Sequence, residues 1–226
     1  MVAILVIATF IMLLAVDYFI RRSGSKREAG EQKPLRGPDR FLIPRGYFFG
    51  PKHSWIEVLW NGRARVGIDD FIQKIIGSVE KVVVIPVNSI VRKGEPLVSL
   101  TQGGRTVSVT APISGKVQEV NERAINCPEI LNADPYVQGW LALIEPEDLS
   151  KEIKGFTIAD EAARWLRKET IRFRDFIKAH ASQVALAGTT MVDGGIPVSA
   201  SLRDADAEVW RAFEQEFLAD SLQAES

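Results

Sequence analysis

The chain has 226 residues, of which 46% are hydrophobic and 25% charged, a balance that is typical of globular proteins. Its 28 basic and 29 acidic residues leave a formal charge of −1, which removes any whole-chain argument for nucleic-acid binding. A single cysteine, Cys127, excludes an internal disulfide framework. Only His53 and His180 accompany it, so we predict no metal site. From the charge balance we predict no nucleic-acid partner.

The first segment, from Met1 to Ile20, is apolar apart from Asp17 and is long enough for a bilayer-spanning helix. No basic residue precedes it, which favours a retained anchor over a cleaved signal peptide. Basic residues follow it directly, and by the positive-inside rule they place the remaining chain in the cytoplasm. We therefore predict a single-pass protein of a bacterial inner (cytoplasmic) membrane. Residues 21–40, rich in Gly, Pro and charge, are predicted to form a flexible basic linker.

Between residues 41 and 146 short β-branched runs alternate with turn residues, a pattern that is typical of an all-β sandwich or barrel. The dipeptide Asn61-Gly62 separates two such runs, 54–60 and 64–68, and predicts a hairpin with a type I′ turn. Residues 69–77 have an acidic start and a glycine stop, which predicts a short helix. Further strands are predicted at 79–86, 96–100, 106–111 and 115–120.

Past Pro146 the hydrophobic period becomes helical, so residues 147–226 are predicted to be an α-helical C-terminal extension. We expect one helix over 157–179, opened by a capping-box-like Thr157 to Asp160, and a second helix after Asp204 or Asp206. The first helix is basic with interleaved aromatic residues, most simply a solvated face over a core stripe. As partner-binding residues we predict Arg164, Trp165, Arg167 and Trp210.

Short motifs along residues 41–146 occur together in one order: His53-Ser54-Trp55, Val66 to Phe71, Val84-Ile85-Pro86, Val91 to Glu95, Ala111 to Val117, Asp134-Pro135-Tyr136 and Gly139-Trp140. Together they resemble the H-protein of the glycine cleavage system, a lipoyl carrier family. The resemblance implies a barrel-sandwich hybrid fold, whose two β-layers are joined by a protruding hairpin. We expect the layers to meet around six apolar residues: Val84, Ile90, Val98, Val109, Ile113 and Val117.

The resemblance also implies that the hairpin tip should present a lysine to which lipoate is attached. Counted back from Ala111-Pro112, this position falls at Gly104, or at Arg105 after a one-residue slip. Glycine has no side chain and arginine offers no nucleophilic amine. No lysine occurs between Lys93 and Lys116, so we predict no lipoyl or biotinyl cofactor.

Other reactive side chains have a structural interpretation that is simpler than a chemical one. His53 has no second histidine, cysteine or carboxylate cluster beside it in sequence, so it is interpreted as structural. Asp69-Asp70 is interpreted as a helix cap, and Cys127 as a packed or idle thiol. We therefore predict no catalytic residue.

Three functions follow as hypotheses from these observations. The first is a non-catalytic, membrane-anchored H-protein-like scaffold or docking subunit, whose partners are other protein subunits of a membrane complex. The second is a lipoyl or aminomethyl carrier that is modified on a non-standard lysine such as Lys116 or Lys93. The third is a membrane-fusion export adaptor, which the short Gly103-Gly104 loop between the half motifs disfavours.

Overall fold

The computed structural model describes residues 12, 35–36, 41–180, 191–192, 196–197, 200–203 and 205–218. The described residues from 35 onward belong to one compact unit. Met12, which is helical and exposed, belongs to a separate unit, residues 1–33.

The prediction of an N-terminal transmembrane helix is corrected by the structure. Among the described residues no helix is both long enough and apolar enough to cross a bilayer. The longest of them, Ala159–Ala179, carries charged residues on every turn and is therefore unsuited to hydrocarbon. The predicted anchor, from Met1 to Ile20, and the linker 21–40 lie outside the described residues, apart from Met12 and 35–36. The predicted localisation in a bacterial inner membrane depends on such a helix and is corrected together with it.

The described part of the chain is rich in short strands separated by turns, as the sequence predicted for its central segment. The strands are β1 (Leu35–Arg36), β2 (Leu42–Ile43), β3 (Tyr47–Phe49), β4 (Ser54–Val58), β5 (Ala64–Ile68), β6 (Lys81–Val84), β7 (Ile90–Val91), β8 (Pro96–Gln102), β9 (Arg105–Thr110), β10 (Gly115–Val120), β11 (Ala142–Pro146), β12 (Met191–Val192) and β13 (Ile196–Pro197). Six of these strands, β4, β5, β6, β8, β9 and β10, agree with predicted strands to within a few residues, and the others had not been predicted.

Two antiparallel sheets form the β core. The larger has the strand order β3-β4-β5-β11-β10-β7, and the smaller has the order β6-β8-β9. The two-stranded pairs β1-β2 and β12-β13 lie outside these sheets. In the smaller sheet β8 is central, so β9 has a partner along one edge only. This leaves the outer edge of β9 open to other parts of the chain.

Short helices punctuate the strands, and longer ones follow them. They are α1 (Asp70–Ile76), α2 (Glu122–Asn126), α3 (Ile130–Ala133), α4 (Leu149–Glu152), a 3₁₀ turn (Ile153–Gly155), α5 (Ala159–Ala179), α6 (Ala207–Phe213) and a π-helical turn (Glu214–Leu218). The two helices predicted for the C-terminal extension are thus present as α5 and α6.

Helix α1 confirms the predicted helix between Asp69 and Gly77. The Asp69 carboxylate accepts hydrogen bonds from the amides of Phe71 and Ile72, both at 3.1 Å, and so satisfies two buried donors of the first turn that have no partner within the helix. Gly77 ends the helix with φ +87°, a conformation that glycine adopts without steric cost. Asp69 is therefore the helix cap that the sequence predicted.

The turn between β4 and β5 differs from the predicted two-residue type I′ turn. The amide of Leu59 donates to the carbonyl of Arg63 at 2.8 Å, and that of Gly62 to the carbonyl of Leu59 at 3.0 Å. Gly62 has φ +81°, whereas Asn61 does not have a positive φ. This is the three-residue loop with a left-handed glycine, which needs positive φ at one position instead of two.

Helix α5 begins without the predicted capping box. Ile158 occupies the cap position and makes no side-chain cap bond. Thr157 is engaged elsewhere, because its backbone pairs with Phe49 at the edge of the larger sheet through N–H···O contacts of 2.8 and 2.9 Å. The β core thus sets where this helix starts.

The two sheets enclose one hydrophobic core, into which the C-terminal helices also insert apolar side chains. Of the six residues predicted to lie between the layers, four are buried: Val98, Val109, Ile113 and Val117. Val84 is half-buried, and Ile90 is 72% exposed. Ile90 was predicted wrongly because β7 is a two-residue strand at the sheet edge, where side chains can point to solvent.

Candidate functional site

The hairpin that joins β8 to β9 is the candidate functional site, and we call it the tip hairpin. Gln102 pairs with Arg105, which leaves Gly103 and Gly104 as a two-residue turn at the predicted position. Their φ angles are +57° and +73°, the combination that a type I′ turn requires at both central positions. Both glycines are exposed. The tip is therefore a tight, solvent-facing turn of the kind that could present a group to a partner.

The tip offers no primary amine. Residues 94–115 contain no lysine, and Gly104 has no side chain. The guanidinium of Arg105 donates through Nη1 to the carbonyl of Arg203 at 3.1 Å, so this side chain is directed to the C-terminal part of the chain. An amide-linked prosthetic arm requires a nucleophilic amine, which a guanidinium does not provide.

The two lysines that flank the predicted attachment position lie away from the turn. Lys93 is in the turn after β7, where its Nζ donates to the carbonyl of Glu152 at 3.1 Å and lies 5.5 Å from the ring centroid of Phe156. Lys116 is an exposed residue of β10 in the larger sheet, opposite Ile90 and Glu145. Both lysines are exposed, and the Lys93 side chain is engaged with Glu152 and Phe156.

Residues 205–218, which we call the C-terminal segment, lie along the outer edge of β9. The backbone amide of Ser108 donates to Glu214 Oε1 at 2.6 Å, and the hydroxyl of Thr110 to the carbonyl of Leu218 at 3.5 Å. The Glu214 carboxylate thus satisfies a backbone donor that a neighbouring strand would otherwise pair, and the Thr110 hydroxyl adds a side-chain contact. Phe213 and Phe217 are 0% and 1% exposed, so the segment is anchored by buried aromatic area as well as by these bonds.

A buried histidine lies beneath helix α5. His53 is 0% exposed and its ring stacks on that of Phe71, with centroids 4.5 Å apart. Nδ1 contacts Asp69 Oδ2 at 2.8 Å, and Nε2 lies 3.4 Å from Glu169 Oε2 without a hydrogen-bond partner among the described residues. The imidazole thus links the β core, through Asp69, to α5, through Glu169.

Two carboxylates decide the charge of this histidine. Burial by itself would lower the pKa of His53, but Asp69 and Glu169 outweigh it and raise the pKa above its usual 6.5. Burial would likewise raise the pKa of Glu169, but His53 and Arg172 outweigh that effect and lower it below 4.5. Both shifts favour the charged forms of His53 and Glu169, and therefore the ion pair between them.

Arg172 extends this ion pair to the C-terminal segment. Its Nη1 contacts Glu169 Oε2 at 2.8 Å and its Nε contacts Glu216 Oε1 at 3.1 Å, while Nη2 donates to the carbonyl of Glu216. The guanidinium carbon also lies 4.3 Å from the ring centroid of Phe217. A continuous set of charged contacts therefore runs from His53 to the segment that covers β9.

The four residues predicted to bind partners have different environments. Arg164 and Arg167 are exposed on α5 and form no ion pair with any described residue. Trp165 is half-buried with its ring centroid 4.9 Å from that of His53. Trp210 is 3% exposed and donates from Nε1 to the carbonyl of Leu202 at 2.9 Å. Of these four residues, the two arginines are the most exposed, whereas Trp165 is partly and Trp210 almost wholly engaged in packing.

The sequence interpretation missed Glu169, Arg172 and Glu214, which make the long-range contacts of this region. One signal was available for Glu169, because it lies between Leu166 and Phe173 on the apolar stripe of α5. A charged side chain on a buried helix face normally has a partner of opposite charge, and Glu169 has two, His53 and Arg172. The other described side chains include no cluster of three or more potential metal ligands, and Cys127 is exposed.

Comparison with known proteins identifies the family. The family model described as glycine cleavage H-protein matches residues 47–169. A probable glycine cleavage system H protein of Pyrococcus furiosus is 36% identical over 127 residues, covering 56% of this chain and 94% of that protein. The glycine cleavage system H protein of Coprothermobacter proteolyticus is 42% identical over 108 residues, covering 48% of this chain and 85% of that protein.

A crystal structure of a glycine cleavage system H protein from Mycobacterium marinum also resembles this chain. It has 29% sequence identity and a TM-score of 0.44, covering 46% of this chain and 87% of that one. The family match ends at residue 169, so Arg172 and the C-terminal segment lie beyond it. The matched share of the sequence confirms the resemblance seen in its motifs: the chain belongs to the glycine cleavage H-protein family.

Proposed function

We propose that this chain is a non-catalytic docking subunit of the H-protein family and carries no lipoyl group. The observation that carries the proposal is the tip hairpin, in which Gly103-Gly104 forms the turn and residues 94–115 contain no lysine. A swinging arm needs a primary amine on an exposed turn, where an attaching enzyme can reach it. A family member without that amine keeps the fold and its contact surfaces but not the chemistry of the arm.

The cover on β9 supports the same proposal. Arg105, Ser108 and Thr110 each bond to the part of the chain between Arg203 and Leu218. This part lies beyond the family match and restricts access along one edge of the tip hairpin. A hairpin that delivered an arm into a partner's site would need that edge to be accessible.

The exposed face of α5 is the proposed docking surface. Arg164, Arg167 and Lys168 lie at i, i+3 and i+4, and therefore on one face, and none of them forms an ion pair with a described residue. Ile171, 47% exposed, continues this face by one turn. Three uncompensated cations beside an apolar side chain fit a protein partner with an acidic surface. The relatives are named for the glycine cleavage system, whose proteins are the first partners to test.

The test of the missing arm is the intact mass of the full chain purified from its native cells. We expect the mass of the unmodified sequence, and the same result for Lys116→Arg. Lys116 is exposed, which makes carriage on this residue the second candidate function. A lipoyl mass increment that disappears in Lys116→Arg would establish that candidate and contradict the proposal.

The docking surface is tested by charge reversal. Arg164→Glu combined with Arg167→Glu should reduce the amount of each specifically co-purifying protein at least tenfold, because two attractive pairs become repulsive. Arg123→Glu reverses an exposed cation on α2 and is the matched control. Equal recovery of the same proteins with all three forms would exclude this face as the docking surface.

A further inference from the structure

A cavity of about 230 Å³ lies between the tip hairpin and helix α6. Gly104 and Arg105 form its wall on the hairpin side, and Trp210, Arg211 and Glu214 form its wall on the helical side. A Cβ atom added to Gly104 would meet no atom within 4 Å, so the space beside the turn is open at this residue. The volume is sufficient for a small organic molecule or an inorganic anion.

Two guanidinium groups line this cavity, and each is held in place by the backbone. Arg105 donates through Nη1 to the carbonyl of Arg203 at 3.1 Å, and Arg211 donates through Nε to the carbonyl of Ala207 at 3.3 Å. Neither arginine forms an ion pair with a carboxylate of any described residue. A neutral carbonyl uses one N–H of each group and leaves its charge uncompensated, so several N–H donors remain for a ligand.

The one carboxylate of the cavity is already engaged. Glu214 Oε1 accepts from the amide of Ser108 at 2.6 Å, which orients this side chain toward β9. Its negative charge would repel an anion, but the two positive guanidinium groups outnumber it. The side chains that line the cavity therefore carry a net positive charge, in a chain whose overall charge is −1. A further carboxylate, Glu80, lies outside this lining and accepts from the amide of Gly103 at 3.1 Å.

We propose that this cavity binds a small molecule through an oxyanion group, a carboxylate or a phosphate. The planar guanidinium matches both groups because it can donate two parallel N–H···O bonds. The backbone bonds of Arg105 and Arg211 fix both side chains in advance, which reduces the entropy lost on binding. Trp210 is only 3% exposed and contributes a small part of the lining. The site is independent of the proposed docking function.

The test is titration of the full chain with inorganic phosphate and, separately, with acetate at constant ionic strength. Binding is measured by calorimetry and by the amide chemical shifts of Gly103 and Gly104. Because charge-assisted hydrogen bonds are the strong ones, Arg105→Gln and Arg211→Gln should each weaken binding about tenfold. Glu214→Gln keeps an acceptor for the Ser108 amide but removes the opposing charge, so it should tighten binding severalfold.

Arg123→Gln removes an exposed cation elsewhere and should bind like the parent chain. Circular dichroism and thermal unfolding establish that each variant is folded. The proposal is overturned if neither anion shifts the two glycine amides. It is equally overturned if Arg105→Gln and Arg211→Gln bind as the parent chain does, since any heat of binding then comes from another surface.

Discussion

Replacing Glu169 with glutamine should destabilise the protein in a way that depends on pH. The side chain is 10% exposed and contacts His53 Nε2 at 3.4 Å and Arg172 Nη1 at 2.8 Å. Glutamine has nearly the same shape, so the substitution removes the charge and leaves the packing. It therefore isolates the contribution of the Glu169 charge to stability.

The magnitude follows from the distance. At an effective dielectric constant of about 20, opposite charges 3.4 Å apart attract by about 5 kcal/mol. Burial of the carboxylate offsets several kcal/mol of this attraction, and Asp69 still compensates His53 in the variant. We expect a net loss of about 2 kcal/mol in the free energy of unfolding. With a urea dependence of about 2 kcal/mol per M, the urea midpoint should fall by about 1 M.

The pH dependence has a definite sign. The folded-state pKa of His53 is raised above 6.5, so its ion pairs contribute fully below pH 6.5 and their contribution is lost as pH rises through the raised pKa. The pKa of Glu169 is lowered below 4.5, so its contribution is present above pH 4.5 and is lost as pH falls through the lowered pKa. The difference between the parent chain and Glu169→Gln should thus be largest between pH 4.5 and 6.5.

The assay is urea unfolding of both proteins at a series of pH values, with Glu161→Gln as the matched control. Glu161 is exposed in the first turn of α5, so its substitution should change the free energy of unfolding by less than about 0.5 kcal/mol. An unchanged urea midpoint at pH 6 for Glu169→Gln would refute the reasoning. So would a loss that is as large at pH 10 as at pH 6, since the effect would then not depend on the charge of His53.

Three further predictions concern two glycines of the β core and Arg172 of α5. A Cβ added to Gly67 would overlap the Trp55 ring, so Gly67→Ala should lower the free energy of unfolding in urea by about 3 kcal/mol. Gly104→Ala meets no neighbour within 4 Å and should cost only about 1 kcal/mol, from its φ of +73°; an equal cost at both positions would contradict this difference. Arg172→Gln should increase hydrogen–deuterium exchange at the outer amides of β9 about tenfold through its lost bonds to the C-terminal segment, whereas the exposed-face control Arg174→Gln should leave that exchange unchanged.

Local sequence signals predicted the features whose causes are local. The glycine pair at the turn between β8 and β9, the Asp69 cap and the Gly77 stop each depend on residues within a few positions, and all three are present. The type I′ turn at Asn61-Gly62 was predicted wrongly because two loop lengths share that dipeptide, and the pairing of β4 with β5 decides between them.

The predictions for the candidate site were limited by contacts between distant parts of the chain. Glu169 lies 116 positions after His53, and Glu214 lies 106 positions after Ser108, so no sequence window contains both members of either pair. The aromatic residue Trp210 was predicted to face a partner, whereas burial by the fold leaves it 3% exposed. The free surface of α5 is set in the same way, by which of its faces packs on the core.

The amino-acid sequence by itself determined the H-protein family, the position of the tip and the absence of an amine there, because these depend on residue identity and short spacing. Only the tertiary structure decided that the C-terminal segment covers β9, that His53 has two carboxylate neighbours, and that Arg105 and Arg211 line one cavity. The physical reason is that side chains become neighbours through burial of the common core, and burial is a property of the folded chain as a whole.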